Sequence, residues 1–346
     1  MNSNAWESAE RPPITLALFA YNQEAFIREA IVGAFSQTYS PLTIILSDDH
    51  SSDQTFAIME EMARQYAGPH KIVLNRNESN QRLSGHISKV MELVDTEWVA
   101  VAAGDDVSLA DRVEATWQAI QSHPDAYSIF FDLDYIRDDE KNGTEFVPSP
   151  YPHTTENFIK HGWVKVAGPS HAWKMDVFRT FGPLPVNVTS EDSVIPFRAT
   201  LLGKVIYVPI KTVKYRLHFS SVSTIGLKLR DPKQFKSDRL RLISFYGPVF
   251  DCYRRDLRRA FEVGIIGENE FAKHSMTLAK QRRKHEIHMI AWQGPYFKRI
   301  GCAILTLLRP TTFTGANHKQ RLLLVIDAIF PFLDGLYHRH VRCRRF

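Results

Sequence analysis

Short apolar runs alternate with segments of helical period through the first two hundred or so residues of this 346-residue chain. "ITLALFA", Ile14 to Ala20, is apolar and β-prone. The next segment puts Phe26, Ile27, Ala30, Ile31 and Ala34 on one face and Gln23, Glu24, Arg28 and Glu29 on the other, the spacing of an amphipathic helix. "LTIILSDD", "KIVLNRN" and "EWVAVAAGDD" read as further strands, and "SSDQTFAIMEEMARQYA" and "SGHISKVMELV" as the helices between them. Strand–helix alternation at this spacing predicts an α/β fold with a mainly parallel central sheet and helices on both faces. Beyond about Tyr127 the pattern mixes: "YSIFFDLDYI" and "KVIYVPIKTVKYRLH" read as strands, and "HAWKMDVFRTFG" as a strand running into a short helix. From Lys228 the chain reads as helical and basic, with "DCYRRDLRRAFEVGI" and "NEFAKHSMTLAKQRRKHEIHMIAW" its clearest helices. A boundary near 225 follows, with domains expected at 12–225 and 226–346.

In parallel α/β sheets, ligands bind beyond the carboxyl ends of the strands. Tyr21 and Asn22 follow the first strand, Asp48 and Asp49 end the second, and Asp105 and Asp106 follow the fourth after a single Gly104. Two adjacent carboxylates repel each other unless something positive neutralises them. Asp also suits a turn or a helix cap, so one such pair says little; several facing one crevice say more. A helix is expected to begin near Leu109 or Asp111.

The composition is that of an ordinary globular protein, 44% hydrophobic and 23% charged, with a formal charge of +5. The closing stretch "LYHRHVRCRRF" holds four arginines, two histidines and no acid. The three cysteines form no C-x-x-C pair, which argues against a disulfide framework or a structural zinc site. "MNSNAWESAERPP" lacks the regions of a signal peptide, so a cytoplasmic location is expected.

The series "ALFAYNQEAFIREAI", "ILSDDHSSDQT", "AAGDD", "SEDSVIPFRATLLGKVIYVP" and "YRLHFSSVS", in this order, resembles the inverting glycosyltransferases of family 2, GT-A in fold and of the bacterial surface-polysaccharide type. The resemblance covers roughly residues 12 to 225, and its strength lies in five motifs in sequence. It implies transfer of a sugar from a nucleotide-diphosphate donor to a hydroxyl of a glycan or lipid-linked acceptor. Asp49 takes the place of the residue that contacts the nucleotide base; a carboxylate can accept the imide N–H of uracil, which favours a UDP-sugar. Phe19, Tyr21 and Glu24 of "FAYNQE" fall at the same nucleotide, as does Arg82 after the third strand. Asp53 reads as a helix cap instead.

The resemblance also answers why Asp105 and Asp106 stand together. A departing diphosphate develops negative charge, which a bound divalent cation offsets as a Lewis acid. Mn2+ or Mg2+ takes hard oxygen ligands and needs only one or two protein carboxylates. By the resemblance Asp106 is the direct ligand and Asp105 the contact to ribose or to metal-bound water; Ala103 stands where the family commonly has a further Asp. In "TSEDSVIPFRA" Asp192 is expected to be the general base of a single displacement, with Glu191 shaping the site. Pro196 is expected in the first turn of the following helix. Arg216 and His218 alternate along a strand and so share a face; Arg216 would hold phosphate oxygens and His218 join the metal shell. His171 and Trp173 are expected on the acceptor side.

A nucleotidyltransferase should carry a Gly- and Lys-bearing loop after its first strand, and "FAYNQEAF" has neither. A non-catalytic sugar-nucleotide scaffold need not keep both Asp106 and Asp192. Nucleic-acid binding is disfavoured because the basic residues cluster in the tail without interleaved aromatics. The apolar run Leu322 to Leu333 is interrupted by Asp327 and Pro331 and falls short of the roughly twenty residues of a spanning helix. With its basic flanks it suits the surface of an anionic bilayer, a peripheral position on the inner face of the cell membrane.

Overall fold

A computed structural model describes residues 11–137, 146–217 and 244–293. The chain divides into two compact units, residues 1–154 with 165–218 and residues 155–164 with 219–346.

The first unit is built on one eight-stranded sheet. In chain order its elements are β1 (Ile14–Ala20), α1 (Ile27–Phe35), β2 (Leu42–Asp48), α2 (Thr55–Gln65), β3 (Lys71–Arg76), α3 (Arg82–Met91), β4 (Trp98–Ala103), β5 (Val107–Ser108), α4 (Arg112–Ser122) and β6 (Ala126–Arg137). A 3-10 turn (Gly168–Ser170), β7 (Ala172–Lys174), α6 (Asp176–Phe181), α7 (Glu191–Leu202) and β8 (Lys204–Leu217) complete it. The second unit's described helices are α5 (Thr155–His161), α8 (Tyr246–Glu262) and α9 (Glu268–Gln293).

The strand order is β3-β2-β1-β4-β7-β6-β8-β5. Parallel pairing joins β1 to β2 and β4 and β2 to β3, as the alternation predicts, and it also joins β6 to β8. The short strands β7 and β5 run antiparallel to their neighbours. Every residue of β1 is buried, because helices cover both faces of a parallel strand and leave no polar side. Leu16, Leu18, Ile44, Leu46, Ala100 and Ala102 meet Ile27, Ile31, Ala34, Met59 and Val113 in one core.

Within the second unit α5 packs through Phe158 on Tyr253, whose hydroxyl donates to the Gly162 carbonyl at 3.2 Å. Lys273 pairs with Glu156 at 3.0 Å. No helix among the described residues is long and apolar enough to cross a membrane. The apolar run from Leu322 and the basic tail lie outside the described residues.

Candidate active site

Parallel register brings three loops together at one end of the sheet. Ala20 pairs with Asp48, and Phe19 with Ala103. The Asp49 N–H donates to the Ala20 carbonyl at 2.9 Å, and the Gly104 N–H to the Phe19 carbonyl at 2.8 Å. The loops after β1, β2 and β4 are thereby tied side by side, and they carry Tyr21, Asp49 and the Asp105–Asp106 pair.

Gly104 is glycine for lack of room. A Cβ there would stand 2.5 Å from Gln23 Oε1 and 2.8 Å from Ala20 Cβ. Asn22, at φ 51, accepts the Ser52 N–H at 2.9 Å on its side-chain oxygen, while its own N–H goes to Ser51 Oγ at 2.8 Å. Asp53 accepts the Thr55 N–H at 2.9 Å from just ahead of α2, whose N-cap residue is Gln54 rather than Asp53. Glu24 accepts the Gln54 N–H at 2.9 Å. That contact spends one of its oxygens on the neighbouring loop.

Asp49 is buried, and its Oδ1 accepts both the Asn77 side-chain N–H at 2.7 Å and the Gln81 N–H at 2.9 Å. Oδ2 is left for another donor. Asp48, its neighbour, is consumed by the fold: Ser51 and Arg76 hold it. Tyr21 is 46% exposed, an open ring at the strand end. Phe19 turns inward, its ring edge-to-face with His86 at 5.0 Å; only its carbonyl reaches the loops. Arg82 opens α3 in the left-handed region at φ 58, exposed, its N–H donated to Asn80 at 2.9 Å.

Asp106 is the most unusual group here. It is 3% exposed, Oδ1 accepts the Arg216 N–H at 2.8 Å, and Oδ2 is buried without a partner. Burial, and then the Asp105 charge, push its carboxyl well above the usual range. A buried lone oxygen costs about 1–3 kcal/mol until something satisfies it. The helix-cap alternative is excluded: β5 intervenes, and α4 starts only at Arg112, with Asp111 as its N-cap residue. The described residues contain no group of three or more His, Cys, Asp or Glu able to hold a metal. The donor set is thus one carboxylate oxygen with Asp105 beside it, which fits Mg2+ or Mn2+ sharing its shell with phosphate and water. His218 lies outside the described residues.

Glu191 and Asp192 open α7, where the helix N-terminus favours acids. Burial and the Asp192 charge raise Glu191 to about 8, and burial raises Asp192 to about 6. Two carboxylates with separated affinities for protons are the arrangement that divides acid from base. The turn carrying Gly168 lies against them: a Cβ there would sit 3.7 Å from Glu191 Oε1 and 3.8 Å from Asp192 Cβ. Pro196 falls in the second turn, not the first, and withholds the N–H that would have bonded the Asp192 carbonyl.

Three expectations are corrected. His171 is 1% exposed, with Nε2 2.6 Å from Ser128 Oγ, and burial lowers its pKa to about 3. Trp173 is also 1% exposed and stacks on Phe178 at 6.1 Å. Both rings belong to the core and present no face to a sugar, because β7 lies inside the sheet between β4 and β6. Arg216 is committed within the protein: its guanidinium pairs with Glu29 at 2.6 Å, donates to the Asp105 carbonyl at 3.1 Å and lies over Phe26. The part it plays at the loop is to brace Asp105 and Asp106. Sequence reasoning also missed Arg112, which is fully buried beneath the same loop; an Arg in the first turn of a helix carries no signal of burial.

Residues 15–181 match the model of glycosyl transferase family 2. The uncharacterised protein Rv1520 of Mycobacterium tuberculosis is 26% identical over 218 residues, 59% of each chain, so this chain spans less than two thirds of that relative's length. EpsE of Bacillus subtilis, which bears a provisional glycosyltransferase name, is 30% identical over 112 residues, 32% of this chain and 40% of its own. Among solved structures, residues 1–349 of S. aureus TarS in complex with UDP-GlcNAc superpose with a TM-score of 0.54 at 13% identity, covering 94% of this chain and 92% of that one. At that identity the likeness is one of fold. Residues 15–181 thus carry the match to glycosyl transferase family 2, and the mixed α/β sheet that holds them is that of the GT-A fold.

Proposed function

We propose that this chain is a cation-dependent inverting glycosyltransferase that moves a sugar from a UDP-sugar to a hydroxyl of a glycan or lipid-linked acceptor. The observation that carries this reading is Asp106, whose Oδ2 is buried and unpartnered at the end of β4 beside Asp105. Asp106 would hold Mn2+ or Mg2+ directly and Asp105 through water. The cation, when bound, supplies Lewis-acid neutralisation of the charge on the leaving diphosphate.

Asp49 Oδ2 accepts the imide N–H of the base, and the open ring of Tyr21 covers one face of it. Arg82, an exposed cation at the start of α3, faces the nucleotide's negative charge. Asp192 takes the proton from the acceptor hydroxyl. The acceptor oxygen bonds to the anomeric carbon on one face as the bond to the diphosphate oxygen breaks on the other, with inversion. With Asp192 near 6 and Glu191 near 8, a neutral solution leaves Asp192 ionised to accept that proton and Glu191 protonated to donate a hydrogen bond. The basic tail supports a peripheral position on an anionic membrane, where a lipid-linked acceptor would be met.

UDP release from a panel of UDP-sugars, with Mn2+ or with excess chelator, tests the reading. Turnover should need the cation and vanish in Asp106→Ala. Full turnover in chelator would remove the cation from the mechanism, and tight binding of guanosine but not uridine diphosphate would overturn the donor assignment. Vesicle flotation of the chain truncated after residue 317 tests the membrane part; binding equal to that of the full chain would end it.

A further inference from the structure

Arg112 opens α4 six residues past Asp106 and is 1% exposed. A guanidinium taken out of water normally demands a hydrogen-bonded carboxylate. This one has none. Nη1 donates to Ser108 Oγ at 2.9 Å, Nη2 donates to the Pro169 carbonyl at 2.9 Å and also to the Val101 carbonyl, and Nε has no partner. The negative charge it feels is that of Asp106, through space, while burial lowers its pKa to about 10. It therefore remains a cation.

The three acceptors occupy distinct places. Val101 lies in β4, ahead of Asp105 and Asp106, and Ser108 lies in β5, just past them. One guanidinium grips the carboxylate loop from both sides. Pro169 is in the 3-10 turn whose Gly168 backbone forms the wall beside Glu191 and Asp192. The geometry points to Arg112 as a positioning residue that joins the carboxylate loop to the acid pair, so that the donor side and the acceptor side of the site hold one register. This rests on the transferase reading, and deepens it by naming what aligns its two halves. Only a planar fork with several fixed donors can reach three such acceptors at once. A lysine keeps the charge and loses the fork.

The test compares Arg112→Lys and Ser108→Ala with the full-length wild type; Ser108→Ala removes a single acceptor and leaves the guanidinium in place. Thermal unfolding and circular dichroism establish that each variant is folded. Calorimetry with UDP and Mn2+ reads the donor side, and the pH profile of kcat reads the acceptor side. Arg112→Lys should bind UDP with Mn2+ about tenfold more weakly and lose about a hundredfold in kcat, as a displacement near 1 Å does. Its acid limb should move from about pH 6 towards the ordinary carboxylate range as water reaches a loosened wall. Ser108→Ala should shift the same readouts in the same directions by less. A lowered Tm with UDP affinity, kcat and pH profile unchanged would make Arg112 a structural residue alone and overturn the inference. If Arg112→Lys does not fold, unchanged readouts in Ser108→Ala overturn it equally. Wild-type protein that binds UDP but transfers no sugar would instead sink the transferase reading; the calorimetric arm would then still decide the donor half, and UDP affinity unchanged in both variants would overturn it.

Discussion

The Arg216 N–H donates to Asp106 Oδ1 at 2.8 Å, joining the end of β8 to the loop after β4 across 110 positions of sequence. One oxygen is satisfied by a backbone that cannot swing away, and the other, Oδ2, has nothing. Without a cation that is a cost to the fold. Asp106→Asn, which keeps the shape but is a poor ligand for a hard cation, should abolish the rise in Tm that Mn2+ gives the wild type. An equal Mn2+ response in both proteins would refute the assignment of Asp106.

Asp192→Asn keeps the shape of the side chain and cannot take a proton. The expected loss in transfer rate is about a hundred to ten thousandfold, with UDP affinity by calorimetry within a few-fold of wild type. Unchanged transfer would pass the role to Glu191. Loss of UDP binding together with activity would mean that the start of α7 supports the nucleotide.

Glu191 and Asp192 hold their protons to about pH 8 and about pH 6, against 4.5 and 3.8 for the free groups. Between those limits the folded protein binds more protons than the unfolded chain, so its stability falls as pH rises from about 4 to about 8. Glu191→Gln removes the upper part of that decline. Urea unfolding at pH 5 and pH 8 should show a smaller difference for the variant; an unaltered difference would contradict the burial of this carboxyl.

Gly104→Ala places a methyl carbon 2.8 Å from Ala20 Cβ, an atom with no torsion to turn out of the way. The expected cost is about 1–3 kcal/mol in stability, with weaker UDP binding because the β1 and β4 loops separate. A variant with wild-type Tm and affinity would show that the loops are not held so closely.

Asp49→Asn exchanges an acceptor pair for an oxygen and an NH2 facing the base. UDP affinity should fall about tenfold to a hundredfold, with cytidine diphosphate suffering less. Equal losses for both nucleotides would remove Asp49 from recognition of the imide.

Much of this architecture was legible in the sequence because buried parallel strands are apolar throughout and helices keep a single apolar face. The acids at the ends of β2 and β4 could be placed beyond those strands for the same reason. Faces were harder. "HAWK" enters a strand flanked on both sides, where no polar–apolar alternation marks an outside, so its pattern does not reveal that His171 and Trp173 point into the core. Alternation put Arg216 on one face of β8 but could not show that Glu29 and Phe26 wait there. Arg112 was illegible because its burial depends on carbonyls at Val101 and Pro169, and backbone acceptors have no sequence signature.

The narrow middle of the sheet has a mechanical meaning. β7 is three residues long, yet it is the strand through which β4 connects to β6. Around it the ladder is supplemented by one side chain and one further backbone bond: Ser170 Oγ donates to the Phe131 carbonyl at 2.7 Å and accepts the Phe131 N–H at 3.0 Å, and the Val101 N–H reaches the His171 carbonyl at 3.0 Å. This is a riveted seam between two half-sheets, one ending in the β1, β2 and β4 loops and the other in β6 and β8. The rivets decide whether the halves open together or separately. Amide exchange at Val101 and Phe131 as slow as at Leu16 would mark a single cooperative sheet, and cutting the Ser170 rivet would turn one melting unit into two.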